Sequence, residues 1–136
     1  MKGGIKMDPQ QELFSKLKVE IKKLGYEVYD GALPPEGTPY PFVYIANSTQ
    51  TEDMSFKNAT LADVQQFVHV WHNNVKKRGE VSDMLFNIKK VAFKITRTNT
   101  YKWNLFSCNQ SIVNDDTTTE PLLHGYIILD FKLLGF

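Results

Sequence analysis

Residues 122–134 have the sequence LLHGYIILDFKLL, and every second position from Leu123 to Leu133 is apolar or glycine. A period of two is typical of a β-strand that buries one of its faces. The predicted buried face holds Leu123, Gly125, Ile127, Leu129, Phe131 and Leu133, and the opposite face holds His124, Tyr126, Ile128, Asp130 and Lys132. This segment is the clearest strand of the chain, and it indicates a sheet with one buried side.

Further segments with strand character lie upstream. Residues 26–29 predict a short strand, and residues 41–46 are apolar on both faces, which is typical of a strand inside a sheet. Residues 63–72 and 101–112 predict two longer strands with alternating faces. Residues 93–96 are compatible either with a strand or with the extension of a preceding helix.

Two segments have apolar residues at helical spacing. The first helix is predicted to begin at Asp8 as N-cap, with Pro9 at the first helical position. Gln11 would complete a capping box, and Gly25 is a natural stop. The second helix is predicted over residues 80–91. The apolar stripes are Leu13, Leu17, Ile21 and Leu24 in the first helix and Val81, Met84, Leu85, Ile88 and Val91 in the second.

The order of these elements predicts the fold class. Strands joined without a helix between them favour antiparallel pairing, and two amphipathic helices can cover one face of such a sheet. We expect a two-layer α+β domain with a mainly antiparallel, four- to five-stranded sheet. Residues 1–7 are predicted to be a flexible N-terminus and residues 8–136 a single domain. Residues 47–62 are rich in Ser, Thr and Asn, and they predict a long polar loop.

Composition excludes several classes of protein. The chain has 136 residues, 42% of them hydrophobic, which suits one domain with a real core. A net charge of +1 is not suited to holding a polyanion by bulk electrostatics. The single cysteine excludes an internal disulfide framework and fits a reducing compartment. No apolar stretch resembles a signal peptide or a membrane span, so we expect neither secretion nor membrane insertion.

The sequence offers no constellation for catalysis, cofactor binding or metal binding. His69 and His72 are three residues apart in a predicted strand, so they should lie on opposite faces and cannot share one ion. Cys108 has no base or family signature beside it and is interpreted as a small buried hydrophobe. We therefore expect a protein that is not an enzyme and has no cofactor.

One turn is strongly basic. Lys76, Lys77 and Arg78 are consecutive, and Lys94, Arg97 and Lys102 could join them in a patch. A solvated turn is the preferred interpretation of these cations. Contact with DNA phosphates or with an acidic partner is the alternative.

Four stretches resemble a known family. They are residues 13–29, a helix followed by a short strand; residues 38–45, TPYPFVYI, ahead of a long polar loop; VHVW at 68–71, leading through Lys77-Arg78-Gly79 to a helix with Ser82; and DTTT at 116–119, ahead of LLHGYI at 122–127. In this order and over nearly the whole chain, they resemble the tail terminator, or tail-to-head joining, proteins of long-tailed phages, particularly those of Gram-positive bacteria.

The resemblance implies a structural protein of the virion. Members form a ring, usually hexameric, that caps the tail tube and joins the tail to the filled head. The implied partners are other copies of the chain, the major tail tube protein and the head-completion or connector proteins. DNA would pass through the ring without specific binding. The implied location is the host cytoplasm during assembly, and then the neck of the virion.

A ring subunit must bind two neighbours through different surfaces. The polar segment 47–62 is the candidate for reaching a neighbour or the tail tube, with Thr51, Asp53, Met54, Phe56 and Lys57 as interface residues. Another neck or tail-completion protein would follow the same logic. A small nucleic-acid-binding module is the alternative from a different class, and it would use the basic turn together with Trp103.

Overall fold

Five strands form one sheet and two helices pack against it in the computed structural model of the chain, which describes residues 7–53 and 61–136. The elements in chain order are α1 (Pro9–Lys22), β1 (Val28–Asp30), β2 (Phe42–Asp53), β3 (Leu61–His72), α2 (Arg78–Phe93), β4 (Lys102–Asp115) and β5 (Leu122–Gly135). Neither helix is long and apolar enough to cross a membrane.

The sheet has the strand order β1-β2-β3-β5-β4. β1 runs parallel to β2, and all other neighbours are antiparallel. The predicted two-layer α+β domain with a mainly antiparallel sheet is confirmed. The two edges of the sheet are unequal. β1 pairs only with residues 43–45 of β2, whereas β4 forms an edge beyond Trp103, after a short bridge between Arg97 and Lys102 at its start.

The core lies between the helices and one face of the sheet. β5 contributes the buried face predicted from its alternation, including Ile127, Leu129 and Phe131. The two helices contribute Leu13, Leu17, Ile21, Val81, Leu85 and Ile88, which are fully buried. α2 lies close to the sheet at Gly125, since a Cβ atom there would lie 2.6 Å from Val81 Cγ1.

The start of α1 is tied to the sheet by polar contacts. The Asp8 carboxylate accepts a hydrogen bond from the Gln10 amide at 3.0 Å, as expected of an N-cap. The predicted capping box is wrong, because the Gln11 side chain donates to Ser15 instead. The buried carboxylate of Glu12 accepts from the Thr100 amide at 2.7 Å. Residues 1–6 of the predicted flexible terminus lie outside the described residues.

The largest correction concerns the predicted polar loop. β2 continues to Asp53 and β3 begins at Leu61, so most of residues 47–62 belong to a hairpin. A bulge interrupts the register between Ile45 and Ser48. The buried Gln66 amide donates to the carbonyls of Ala46 and Asn47 at 3.1 and 3.2 Å, which satisfies the backbone there. The polar composition hid a strand because backbone pairing, not apolar alternation, holds this half of β2.

Candidate assembly surfaces

Two of the predicted interface residues, Thr51 and Asp53, lie at the far end of β2. Thr51 is exposed and pairs with Asp63, and Asp53 ends β2 opposite Leu61. Glu52, between them, is exposed and accepts a hydrogen bond from the Gln50 amide. Met54, Phe56 and Lys57 lie outside the described residues, as does the rest of the 54–60 stretch of the predicted polar loop.

The β4 edge of the sheet carries no charge over most of its length. Residues 103–114 have the sequence WNLFSCNQSIVN, which contains no charged residue, proline or glycine. Edge strands of isolated proteins are commonly protected by charge or proline, because their free backbone groups can pair with another chain. Here the protection consists of register shifts between Lys102 and Trp103 and between Leu105 and Ser107, and of the Trp103 N–H, which donates to the Thr96 carbonyl at 2.9 Å. An edge of this length without charge or proline is a candidate for pairing in an assembly.

A groove of about 480 Å³ runs between the last turns of α2 and this edge. Its lining is apolar at Phe93, Leu105 and Phe106, and Cys108 also lines it. Phe93 is 67% exposed and Phe106 is 51% exposed, which is unusual for phenyl groups of a lone subunit. Cys108 is exposed, so its prediction as a buried hydrophobe is wrong.

Lysines rim this groove. Lys89, Lys90 and Lys94 belong to its lining, and the Lys90 ammonium lies 4.8 Å from the centre of the Phe86 ring, itself 50% exposed. On the other side, the Lys132 ammonium lies 5.5 Å from the Phe106 ring centre. The ion pairs of the described residues do not involve these four lysines. The groove thus presents apolar surface bordered by cations without carboxylate partners in the described part of the chain.

The face of the sheet opposite the helices carries a row of aromatic rings. The rings of Trp71 and His124 stack at 3.9 Å with an angle of 2° between their planes. Phe42 packs against Tyr29 and Tyr40 at the β1 side. A cleft of about 330 Å³ lies at this end, between the 33–38 segment and the rings of Phe42 and Trp71. No helix covers this face among the described residues.

His69 and His124 meet on the same face, which the sequence did not predict. His69 Nδ1 lies 2.6 Å from His124 Nε2, so one ring donates its N–H to the other. Burial lowers the pKa of His69. Burial and then the neighbouring His69 lower the pKa of His124 to about 4, although Asp115 acts in the opposite direction. Both rings are therefore neutral at neutral pH.

His72 lies on the other side of β3 from His69, as the alternation predicted. It is buried on the helix side, and its Nε2 lies 3.3 Å from a Glu80 carboxylate oxygen. The described residues contain no group of three or more His, Cys, Asp and Glu side chains placed to hold a metal ion. His69 and His124 were separated by more than fifty residues of sequence, and only the β3–β5 register brings them together.

The basic residues do not form one patch. Lys76, Lys77 and Arg78 are exposed at the start of α2, whereas Lys94, Arg97 and Lys102 lie beyond its other end. A helix of 16 residues separates the two groups by about 24 Å. Trp103 is 1% exposed and donates its indole N–H to Thr98, so it is not available to stack on a base. The geometry therefore does not support the alternative of one basic patch with Trp103 as an aromatic platform.

Comparisons with known proteins bear on the fold. No family model matches the sequence, and no curated protein matches it significantly. Among solved structures, the chain is similar to one described as part of the virion of a native gene transfer agent (GTA) particle, with a TM-score of 0.52 and 14% identity. The match covers 92% of this chain and 92% of that one. At this identity the similarity establishes a shared fold over nearly the full length of both chains.

Proposed function

We propose that this protein is a structural subunit of a phage-type virion and acts as a tail terminator, in a ring that caps the tail tube and joins the tail to the head. The observation that carries the proposal is the fold shared with a virion chain over 92% of both lengths. The ordered resemblance of residues 13–127 to tail terminators supports the more specific role.

The surface of the subunit supports a role in assembly. An open edge without charge, here residues 104–114, and exposed phenyl groups, here Phe86, Phe93 and Phe106, are both uncommon in a protein that remains a monomer. These features lie on the β4 side of the sheet, and the polar hairpin lies on the β2 side. Two different surfaces on opposite sides suit a head-to-tail ring.

The experiment is to interrupt the gene in a phage that carries it and to examine the lysate by electron microscopy. The expected result is tails of uncontrolled length together with filled heads that lack tails. A plasmid copy of the gene should restore normal virions. Normal virions without the gene would overturn the proposal.

The same experiment separates the related alternative. If tails of normal length accumulate beside unjoined heads, the protein acts at another level of the neck, as a head-completion or joining protein. A nucleic-acid-binding module has weaker support, because the cations are divided between the two ends of α2 and Trp103 is buried.

A further inference from the structure

The residues that line the groove between α2 and β4 indicate which kind of segment would bind there. Its lining combines Phe93, Leu105 and Phe106 with the ammonium groups of Lys89 and Lys90. A segment that carries acidic and large apolar side chains in close succession would match both properties, since the carboxylates would pair with lysines and the apolar groups would cover the rings.

This chain contains such a segment. Residues 52–56 have the sequence EDMSF, which places two carboxylates directly before Met54 and Phe56. Glu52 is exposed, and Asp53 is the last residue of β2. Asp53 pairs with Leu61 at the outer end of the described part of β2 and β3, and residues 54–60 connect these two residues along the chain.

The segment cannot reach the groove of its own subunit. β2 is separated from β4 by β3 and β5, a distance of three strand spacings or about 14 Å. Groove residues 105–108 lie level with residues 64–66 of β3, which are several residues back along the hairpin from Leu61. Phe56 is three residues from Asp53 in the sequence, and three residues of fully extended chain span at most about 10 Å.

We infer that the EDMSF segment of one subunit binds the lysine-rimmed groove of the next subunit. This inference rests on the proposed ring and names the contact that closes it. Glu52 and Asp53 pair with lysines of the groove, and Met54 and Phe56 cover Phe93 and Phe106. Because each subunit has one segment and one groove on opposite sides of its sheet, the contact is head-to-tail and propagates around a ring.

Cys108 makes the contact testable, since it is the only cysteine and lines the groove. The variant Ser55→Cys adds a second thiol between the two apolar anchors without removing either. Concentrated protein is oxidised and separated on a non-reducing gel. The expected result is a ladder of covalent dimers, trimers and larger products up to the size of the ring. Two controls apply. Ser55→Cys combined with Cys108→Ser should give no ladder. Ala32→Cys keeps Cys108 and adds a second thiol at an exposed position away from the groove, so it is the matched control with two thiols.

Charge reversal provides a second measurement. Lys90→Glu and Glu52→Lys should each weaken association by about tenfold or more in analytical ultracentrifugation, and the double variant should recover most of the loss because every interface again has opposite charges. Asp83→Lys, on the exposed side of α2 and outside the groove, is the control for charge alone and should change association less than about threefold.

The outcomes separate this inference from the proposed function. Rings that form without cross-linking and ignore the charge reversals would overturn the groove contact while leaving the ring intact. A product that stops at a doubly linked dimer would also overturn it, because it would show a mutual contact. Protein that neither assembles at millimolar concentration nor cross-links would count against both the contact and the ring.

Discussion

On the sheet face opposite the helices, the pairing of β3 with β5 brings two histidines together in a partly buried position that affects the protonation of both. His69 and His124 share a hydrogen bond, and His124 also stacks on Trp71. Tyr44 and Tyr126 lie beside His69, and Asp115 is the carboxylate whose charge acts on His124. Burial disfavours a positive charge on either ring, and the neighbouring His69 further lowers the pKa of His124, so the folded protein keeps both rings neutral at neutral pH.

We expect the free energy of unfolding to fall as the pH is lowered from about 7 to about 5. In the unfolded chain both histidines take up protons near their ordinary pKa of about 6.5. In the folded protein the pKa of His69 is lowered and that of His124 is about 4, so the unfolded state binds more protons in this range. Urea titrations at a series of pH values measure the effect.

The control for this prediction is His124→Phe, which keeps a ring on Trp71 and removes one titrating group. Its unfolding free energy should depend less on pH than that of the parent between about pH 7 and about pH 5. An identical pH dependence in the two proteins would show that the pair does not carry the effect.

Phe131 and Phe106 provide a matched pair of phenyl groups on neighbouring strands. Phe131 is fully buried, with its ring edge-to-face on Trp103 at 6.2 Å, whereas Phe106 is half exposed. Phe131→Ala should cost about 3–5 kcal/mol of unfolding free energy, because it leaves a cavity in the core. Phe106→Ala should cost less than about 1 kcal/mol. Chemical denaturation measures the unfolding free energy of both variants. A loss below about 1 kcal/mol for Phe131→Ala would show that Phe131 is not a core residue.

At the scale of elements, the packing of α2 on β5 depends on one glycine. A Cβ atom at Gly125 would meet Val81 Cγ1 at 2.6 Å and Leu85 Cδ1 at 3.1 Å, so the helix would have to move. Gly125→Ala should therefore lower stability by about 1–3 kcal/mol, the usual cost of overpacking. Val81→Ala in the same chain should recover part of that loss, because it clears the nearest atom. Thermal and chemical unfolding of the two variants check the prediction.

Gly79 provides the control, since it lies in the first turn of α2 and a Cβ atom there meets nothing within 4 Å. Gly79→Ala should be neutral or stabilising by up to about 1 kcal/mol, because alanine favours the helix. A loss at residue 79 as large as that at residue 125 would show that backbone freedom, not contact with Val81, makes glycine necessary.

Sequence periodicity predicted the elements whose two faces differ in polarity. β5, β3 and both helical stripes were recognised because burial on one side selects apolar residues at a fixed period. The outer half of β2 was missed because Asn47, Ser48, Thr49 and Gln50 show no such difference. Its strand conformation comes from pairing with β3, a long-range interaction that local composition does not encode.

The candidate surfaces were harder to predict for the same reason. Composition singled out residues 47–62 but predicted a loop there, and the groove joins α2 to β4, which are brought together only by the tertiary fold. One local signal was present: residues 103–114 lack any charge, and a strand at a sheet edge normally has some. That signal becomes informative only once the topology places β4 at the edge.

At the scale of the whole molecule, the two edges of the sheet differ in a way that suits directional assembly. The β4 edge is long, uncharged and bordered by lysines and exposed rings, and the β2 edge ends in an acidic hairpin. Two identical edges would favour symmetric dimers, whereas unlike edges favour chains that close into rings. The hairpin end is therefore the part of the molecule whose removal should separate assembly from folding.

Replacing residues 54–60 with Asn-Gly tests that separation. Asp53 and Leu61 are paired, and a two-residue Asn-Gly connection is the preferred turn for such a pair, so β2 and β3 should remain joined. A longer deletion that began at Gln50 would also remove residues that pair with β3, and it would confuse folding with assembly. We expect the unfolding free energy to change by less than about 1 kcal/mol, because the strand pairing is kept. Ring formation, measured by native mass spectrometry and negative-stain microscopy, should be lost, because Met54 and Phe56 have been removed.

A matched variant that keeps EDMSF and changes only residues 57–60 should still assemble. Rings formed as readily by the Asn-Gly variant as by the parent would show that the hairpin end is a passive connection.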